Sequence, residues 1–166
     1  TVVQFASAEP EEGKTSLSIS AAQLLAKAGR RVLLIDADFR HSNVARTLGL
    51  RPVPGLVEIM AGKNSLVEAL QRDGASGAYV IAAGRFASAA HDYLASGHLA
   101  ELLREVRDSY ELIFIDSPPI LSLSDSGLIA KAVDCTVFVA RWGRTRKETV
   151  RYALKQIETS GGSILG

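Results

Sequence analysis

Residues 2–16, VVQFASAEPEEGKTS, decide the fold of this chain. Val2–Ala6 is an apolar run with β-branched residues that predicts a strand, and Thr15–Ala28 predicts a helix that ends at Gly29. A short polar turn joins the two and contains Gly13. A strand, a turn and a helix in this order form the first half of a βαβ unit.

The rest of the chain repeats this alternation of strands and helices. The further predicted strands are 31–36, 78–82, 111–116 and 135–140, and the further predicted helices are 42–48, 56–70, 91–108, one from Ser124, and 147–160. The strand RVLLID at 31–36 has the continuous apolar core that is typical of a strand buried on both faces. The pattern predicts an α/β fold with a mostly parallel β-sheet sandwiched between helices, and Gly13-Lys14-Thr15 in the turn after the first strand makes this fold P-loop NTPase-like.

Composition excludes several classes of function. The formal net charge of +1 argues against a general nucleic-acid-binding protein, which needs a surplus of Lys and Arg. Cys135 is the single cysteine, so we expect no disulfide and no cysteine metal site within the chain, and the composition favours a reducing, cytoplasmic setting. No apolar run reaches the roughly 20 residues that span a bilayer. We expect residues 1–166 to be one domain cut from a longer protein, with a strand beginning at 163–166.

The turn after the first strand has the chemistry of a phosphate-binding loop. It keeps Gly13, Lys14 and Thr15 of the pattern G-x-x-x-x-G-K-[ST], but Ala8 replaces the first glycine. Backbone N–H groups and the N-terminus of the following helix would face the phosphates. Lys14 would contact the β- and γ-phosphates, and the Thr15 hydroxyl would bind Mg²⁺. The alternative is a chance Gly-Lys-Thr at a turn, which the strand and helix on either side argue against.

Two acidic motifs follow buried strands. LLIDADFR at 33–40 carries Asp36 and Asp38, and IFIDSPP at 113–119 carries Asp116. Because ligands of such sheets bind at the carboxyl ends of the strands, we expect Ser7, Asp36 and Asp116 to converge. One aspartate would then hold Mg²⁺ and another would orient or deprotonate an attacking hydroxyl. The alternative reading, that these residues cap the next helix, explains each of them alone but explains the set poorly.

Together these motifs resemble those of the bacterial tyrosine kinase (BY-kinase) domain. The similarity rests on SAEPEEGKTS at 7–16, LLIDADFR at 33–40 and IFIDSPP at 113–119, and it continues through LGL at 48–50, PGL at 54–56, MAG at 60–62 and RWGRT at 141–145. In that family the domain is the cytoplasmic part of polysaccharide co-polymerases, which control the polymerisation and export of exopolysaccharide chains.

The resemblance implies a set of functional residues and partners. The residues expected to act in catalysis are Lys14, Asp36, Asp38 and Asp116; those expected to bind ATP are Glu12, Gly13, Lys14, Thr15, Ser16 and Arg40; those expected to hold Mg²⁺ are Thr15, Asp38 and Asp116. The parent protein would be an inner-membrane protein, anchored by segments that flank this domain, that self-associates and works with the polysaccharide export machinery.

The chain also departs from the family's pattern. Glu11 stands where the family has glycine, and RFASAAHDY at 85–93 replaces a loop that is usually rich in proline and asparagine. The tyrosine cluster of the family's C-terminal tail is absent; the tyrosines here are scattered, at Tyr79, Tyr93, Tyr110 and Tyr152. We therefore expect little tyrosine autophosphorylation from residues 1–166.

Two other functions remain open on sequence grounds. A Min/Par-type ATPase switch would carry a second lysine five residues before Lys14, where this chain has Glu9. A catalytically weak regulator could use ATP only to set its oligomeric state. A basic segment, Arg141–Arg151, surrounds Trp142 and reads either as a solvated start of a helix or as a surface for a partner subunit, a nucleotide base or anionic lipid. Finally, Lys14 is expected at an exposed junction where its substitution costs little stability.

Overall fold

The computed structural model describes residues 1–85, 89–122 and 124–166. The strands are β1 (Val2–Ser7), β2 (Val32–Asp36), β3 (Leu70–Arg72), β4 (Tyr79–Ile81), β5 (Leu112–Asp116) and β6 (Cys135–Val139). The helices are α1 (Lys14–Lys27), α2 (Val44–Leu48), α3 (Leu56–Met60), α4 (Leu66–Ala69), α5 (Ala90–Ala95), α6 (His98–Val106), α7 (Asp125–Ala132) and α8 (Lys147–Thr159). Within these residues, no helix has both the length and the apolar character that a bilayer crossing requires.

The strands form one six-stranded sheet in the order β3-β4-β2-β5-β1-β6. All neighbouring strands are parallel except β3, which runs antiparallel to β4 at the edge. The predicted fold class, a mostly parallel sheet between helices of the P-loop NTPase-like kind, is therefore confirmed. Residues 163–166 extend the sheet beside β6, where the N–H of Leu165 donates to the carbonyl of Thr136 at 2.8 Å.

The sheet is buried on both faces, as the apolar runs predicted. On one face, Leu33, Ile35 and Ile113 pack with α6 through side chains such as Leu99 and Leu103. On the other face, residues of β1, β2 and β5 pack against α1 and α2; this second cluster contains Val3, Phe5, Ile19, Ala22, Leu34, Val44 and Phe114. Each fully buried aliphatic side chain stabilises the fold by about 1.5–3 kcal/mol, so the central strands are held firmly from both sides.

The register of the central strands aligns the carboxyl ends that were expected to converge. Asp36 of β2 lies opposite Asp116 of β5, and Asp116 lies opposite Phe5 of β1. Ser7 ends β1 two residues later. The expected convergence of Ser7, Asp36 and Asp116 at one edge of the sheet is confirmed.

A cluster of polar side chains surrounds Gln4 of β1, within the sheet and before the carboxyl ends of the strands. The Gln4 amide donates to the Ser117 hydroxyl at 2.9 Å and to the Ser126 hydroxyl at 2.9 Å, and its carbonyl accepts from Thr136 at 3.1 Å. The Ser117 hydroxyl also donates to the carbonyl of Phe5. Gln4 is fully buried, and every buried polar side-chain atom has a partner within the described residues. The cluster ties β1 to β6, to α7 and to the turn after β5.

Two long predicted helices are each broken in the structure. Within 56–70, α3 ends near Gly62, which has a φ of 66°, and α4 begins only after Ser65. Within 91–108, Gly97 with a φ of 86° separates α5 from α6. The edge strand β3 was not predicted, because its three residues are too few to show the two-residue period of a strand. The other predicted elements agree to within about two residues, the usual uncertainty at helix ends.

Candidate nucleotide site

The loop between β1 and α1 presents the N-terminus of a helix toward open space. Gly13, with a φ of 92°, precedes the helix, and α1 begins at Lys14. The first four N–H groups of an α-helix lack partners inside the helix, and no side chain caps α1 within the residues that the structure describes. These N–H groups and the helix dipole together favour an anion at this position.

A cavity of about 520 Å³ lies in front of this helix. Lys14, Thr15 and Ser16 line it on the side of the helix, and Asp38 lines it on the side of β2. The other lining residues are Ser7, Pro10, Glu11, Glu12, Gly13, His41, Asn43, Thr47 and Pro119. The cavity therefore brings together the loop that was predicted to bind phosphate and one of the two carboxylates after β2.

Lys14 and Asp116 form a buried ion pair at the base of the loop. The Lys14 Nζ lies 2.8 Å from the Asp116 Oδ1, and only 6% of Lys14 is exposed. The Thr15 hydroxyl lies 3.5 Å from the Lys14 Nζ. Burial raises the pKa of Asp116 despite the nearby ammonium. The expectation that Lys14 lies at an exposed junction is wrong, because the first turn of α1 packs over the end of β5.

The two aspartates after β2 have different surroundings. Asp36 is fully buried, and its carboxylate accepts hydrogen bonds from the backbone N–H groups of Asp38 at 3.1 Å and Val44 at 3.2 Å. Burial, with the charge of Asp116 as a second cause, raises the pKa of Asp36 to about 7. Asp38 lines the cavity and accepts from the N–H of His41 at 2.9 Å. The capping alternative thus describes the contacts of Asp36, whereas Asp38 faces the site.

Glu12 connects the phosphate-binding loop to the loop after β6. Its carboxylate accepts from the N–H of Glu9 at 2.8 Å, from the Thr145 hydroxyl, and from the N–H of Arg141 at 3.4 Å. Only 8% of Glu12 is exposed. Glu12 was predicted among the residues that bind the nucleotide. Its carboxylate is engaged with these protein groups, and its role in binding stays a prediction. We call this set of contacts the Glu12 bridge.

Glu11 adopts a backbone conformation that favours glycine. Its φ is 62°, and it is the one residue other than glycine with a positive φ among the described residues. The resemblance to the BY-kinase domain implies glycine at this position, and the observed conformation is one that glycine adopts freely. The Glu11 side chain is exposed and lies 3.7 Å from Arg144. A second cavity, of about 430 Å³, lies on this side of the loop between Pro10, Leu121 and Arg144.

Some predicted site residues are not brought to the cavity. Arg40 is exposed on the loop after β2 and does not line the cavity, so its role in binding stays a prediction. The replaced loop at 85–93 includes residues 86–88, which lie outside the described residues. No cluster of three or more His, Cys, Asp or Glu side chains that could hold a metal occurs in the described part of the chain.

The sequence did not reveal the roles of several residues around the site. Thr145 was noted only as part of the RWGRT motif, and nothing in the sequence links it to Glu12, because 133 positions separate them. His41, Asn43 and Thr47 line the cavity. Their polar character directly after Asp38 was the available signal. The pairing of Lys14 with Asp116 likewise depends on the order of the strands.

One family model and two solved structures define the class of protein to which this fold belongs. The sequence model of one protein family, described as an AAA domain, matches residues 2–141. The solved kinase domain of the tyrosine kinase ETK of Escherichia coli has the same fold, with a TM-score of 0.97 and 30% identity over 99% of this chain and 65% of that chain. A solved complex of a Cyanothece McdA variant with ATP has a TM-score of 0.85 and 26% identity over 100% of this chain and 68% of that chain.

Three named proteins are similar in sequence to almost the whole of this chain. The tyrosine-protein kinase Etk of Escherichia coli is 30% identical over 99% of this chain and 23% of its own length. The tyrosine-protein kinase YwqD of Bacillus subtilis is 31% identical over 99% of this chain and 69% of its own length. The succinoglycan biosynthesis transport protein ExoP of Rhizobium meliloti is 32% identical over 99% of this chain and 21% of its own length.

The chain belongs to the family of AAA-type domains that includes the bacterial tyrosine kinases. It spans about a quarter of the length of Etk and about a fifth of the length of ExoP.

Proposed function

We propose that residues 1–166 are an ATP-binding domain that transfers the γ-phosphoryl group of ATP to a tyrosine hydroxyl. The observation that carries this proposal is the convergence of Lys14, Thr15 and Asp38 on one cavity at the N-terminus of α1, with Asp116 paired to Lys14 behind it. The N–H groups of the first turn of that helix would hold the phosphates. The Lys14 ammonium would move away from Asp116 and contact the β- and γ-phosphates.

Oxygen donors at this site suit Mg²⁺. The Thr15 hydroxyl and the carboxylates of Asp38 and Asp116 are hard ligands, and Mg²⁺ in nucleotide sites takes few protein ligands because phosphates and water complete its shell. When bound, Mg²⁺ would neutralise charge on the phosphates. Asp38 has an open side toward the cavity, so it is the carboxylate best placed to orient an acceptor hydroxyl and to take its proton. Asp36 would hold the backbone of the loop that carries Asp38.

The second cavity is the proposed site of the nucleotide base. It adjoins the first cavity across Pro10, Glu11 and Glu12, which line both. Leu121 gives it an apolar wall, and Arg144 brings a positive charge from the basic segment at 141–151. An ATP molecule would then lie across the phosphate-binding loop, with its phosphates in front of α1.

The names of the relatives support the proposed biological role. Etk and YwqD are named tyrosine-protein kinases, and ExoP is named for succinoglycan biosynthesis and transport. In this proposal the domain is a tyrosine autokinase on the cytoplasmic side of the inner membrane. It belongs to a self-associating co-polymerase that regulates the polymerisation and export of an exopolysaccharide.

Three measurements test this function. Calorimetric titration with ATP and Mg²⁺ should show binding that Lys14→Gln removes and that Lys27→Ala, an exposed change on the same helix, leaves intact. Transfer of the γ-phosphate from radiolabelled ATP to a tyrosine-rich peptide is expected, at a rate well above the release of free phosphate. Phosphate release without transfer would favour an ATPase switch. ATP binding with neither reaction would favour a regulator, and equal binding by wild type and Lys14→Gln would remove the proposed site altogether.

A further inference from the structure

A third cavity lies at the opposite end of the sheet from Asp36 and Asp116. Its volume is about 510 Å³, and it is formed by the end of α1, the edge strand β3 and the residues that precede β2, β4 and β5. Nothing in the proposed kinase function uses this end of the molecule.

Three arginines line this cavity: Arg30, Arg31 and Arg72. The Arg72 Nε donates to the carbonyl of Gly77, another lining residue, at 3.2 Å. Glu111 at the rim lies 3.0 Å from the Arg30 guanidinium and accepts from the Arg31 backbone N–H at 2.9 Å, so it compensates part of the charge of these arginines. Of the described residues that line the cavity, none is acidic. The lining thus carries a local positive charge, although the chain as a whole is close to neutral.

The C-terminus of α1 has few free carbonyl groups that could repel an anion in this cavity. A helix C-terminus ordinarily presents free carbonyl groups that repel negative charge. In this helix the N–H of Gly29 donates to the carbonyl of Ala26 at 3.0 Å, and the N–H of Arg30 donates to the carbonyl of Leu25 at 3.0 Å. These hydrogen bonds engage carbonyls of the last turn, which leaves the arginine side chains as the dominant charges around the cavity.

Two tyrosine rings supply an aromatic wall. The rings of Tyr79 and Tyr110 meet edge to face, with their centroids 5.4 Å apart, and the Arg72 guanidinium lies 5.7 Å from the centroid of the Tyr79 ring. Burial and the neighbouring Tyr79 raise the pKa of Tyr110, so its hydroxyl stays neutral and can donate a hydrogen bond. Guanidinium groups beside aromatic rings suit a ligand with both a charged and a planar part.

We propose that this cavity binds an aryl phosphate, with the phosphate on Arg31 and Arg72 and the ring against Tyr79 and Tyr110. Arginine presents a planar fork of N–H donors that matches the oxygens of a phosphate group. The cavity is far larger than a bare phosphate, which leaves room for the organic part. Aryl phosphates occur as free metabolites and as phosphotyrosine side chains, and one probe of each kind distinguishes these sources.

Titration of ¹⁵N-labelled protein with phenyl phosphate, followed by ¹H–¹⁵N NMR, tests this proposal. Shifts are expected at residues 26–31, 72–79 and 109–111, and they should persist in Lys14→Gln, so that failure of the nucleotide site would not affect the result. Arg31→Ala and Arg72→Ala should each weaken binding about tenfold, as expected for the loss of a charge-assisted hydrogen bond. Arg72→Lys should also weaken it, because it keeps the charge without the fork, whereas Arg46→Ala on α2 is the control.

Comparison ligands decide the chemical class. A capped phosphotyrosine that binds as well as phenyl phosphate would support a side-chain ligand, and weaker binding of the capped form would support a free one. Glucose 6-phosphate should bind less tightly than either, because it lacks an aromatic ring. Equal affinity for glucose 6-phosphate, shifts confined to residues 9–16, or unchanged affinity in the arginine variants would each overturn the proposal.

Discussion

Lys14 is paired with a carboxylate of the protein and, in the proposed function, would also contact the phosphates of ATP. Replacing it with alanine would leave Asp116 buried and without its counter-charge. We expect Lys14→Ala to lose on the order of 3 kcal/mol in the free energy of unfolding, because a buried charge that loses its partner is costly. Urea denaturation at about pH 8, where carboxylates are ionised, measures this loss.

A double variant separates the two roles of Lys14. In Lys14→Ala with Asp116→Asn the uncompensated charge is gone, so most of the lost stability should return while ATP binding stays absent. If Lys14→Ala alone unfolds at the same urea concentration as the wild type, the ion pair contributes nothing and this explanation fails.

The raised pKa of Asp36 predicts a pH-dependent stability. Between its ordinary pKa of 3.8 and its pKa of about 7 in the folded protein, the folded state holds a proton that the unfolded state has released. The stability that this group contributes is therefore complete below the lower value and decreases as the pH rises through the higher one. The whole loss, over about three pKa units, is on the order of 4 kcal/mol, at about 1.4 kcal/mol per pKa unit.

Urea unfolding of the wild type and of Asp36→Asn, from about pH 5 to about pH 8 in the presence of EDTA, measures this dependence. The variant should start less stable, because one of the two backbone N–H groups loses its acceptor, but its stability should fall less with pH. Parallel curves for the two proteins would contradict the assignment of the pH dependence to Asp36.

Glu11 predicts a stabilising substitution. A residue with a side chain pays about 1–2 kcal/mol to adopt a left-handed conformation, and glycine adopts it freely. Glu11→Gly should therefore raise the free energy of unfolding by about 1 kcal/mol, which thermal denaturation can detect. Glu11→Ala is the matched control, because it removes the same charge and keeps the strained conformation. A gain of equal size in Glu11→Ala would assign the effect to charge.

At the scale of elements, the Glu12 bridge joins two loops that would hold different parts of ATP. Glu12→Ala should weaken ATP binding about tenfold, since the phosphate-binding loop loses the hydrogen bonds that fix its shape. Glu9→Ala is the control, because it removes a carboxylate from the same loop but leaves the bridge intact. Loss of a negative charge alone would strengthen ATP binding in both variants.

Calorimetry on both variants, together with Thr145→Val and Thr145→Ser, tests the bridge. Thr145→Val should resemble Glu12→Ala, and Thr145→Ser should resemble the wild type because the serine hydroxyl can replace that of threonine. Similar changes in ATP affinity for Glu12→Ala and Glu9→Ala would be explained by the lost negative charge alone. They would refute the prediction that the Glu12 bridge strengthens ATP binding.

Elements differ in how far the sequence could predict them. The strands 31–36 and 111–116 were evident, because strands buried on both faces must be continuously apolar. The breaks at Gly62 and Gly97 were missed because the apolar residues on either side keep a helical spacing, and a single glycine does not always end a helix. The edge strand β3 owes its form to pairing with β4, a contact that its own three residues do not encode.

On the scale of the whole molecule, the positions of the tyrosines predict weak autophosphorylation. Tyr79 and Tyr110 lie at the end of the sheet opposite the nucleotide site, while Tyr93 lies on α5 and Tyr152 on α8. None of them lines the cavity in front of α1. Because phosphoryl transfer needs an acceptor hydroxyl about 3 Å from the phosphate and in line with it, these tyrosines should be poor acceptors.

Phosphotyrosine blotting after incubation with ATP and Mg²⁺ measures this directly. A strong signal from residues 1–166 that disappears in Lys14→Gln would show that one of the tyrosines is an acceptor. Substitution of each tyrosine by phenylalanine would then identify it.

The sequence predicted those residues of the candidate site that lie in local motifs, but it did not predict the contacts between segments that are distant in the sequence. Lys14, Thr15 and Asp116 were found because each lies in a motif that ends a strand or begins a helix. That Asp36 is enclosed while Asp38 lines the cavity could not be read from two residues so close in sequence, since it depends on how the following loop folds over β2.

Gln4 has a consequence for folding accuracy. Successive residues of a strand face opposite sides of the sheet, so if β1 slipped by one residue against β5, the Gln4 amide would turn into the apolar layer below α1. Each amide or hydroxyl group stranded in this way costs about 1–3 kcal/mol. The Gln4 cluster therefore makes a shifted register of β1 against β5 less stable than the observed one. In the observed register, Asp116 lies beside Lys14. Gln4, which does not line the cavity in front of α1, thus helps to fix the alignment of the residues around that cavity.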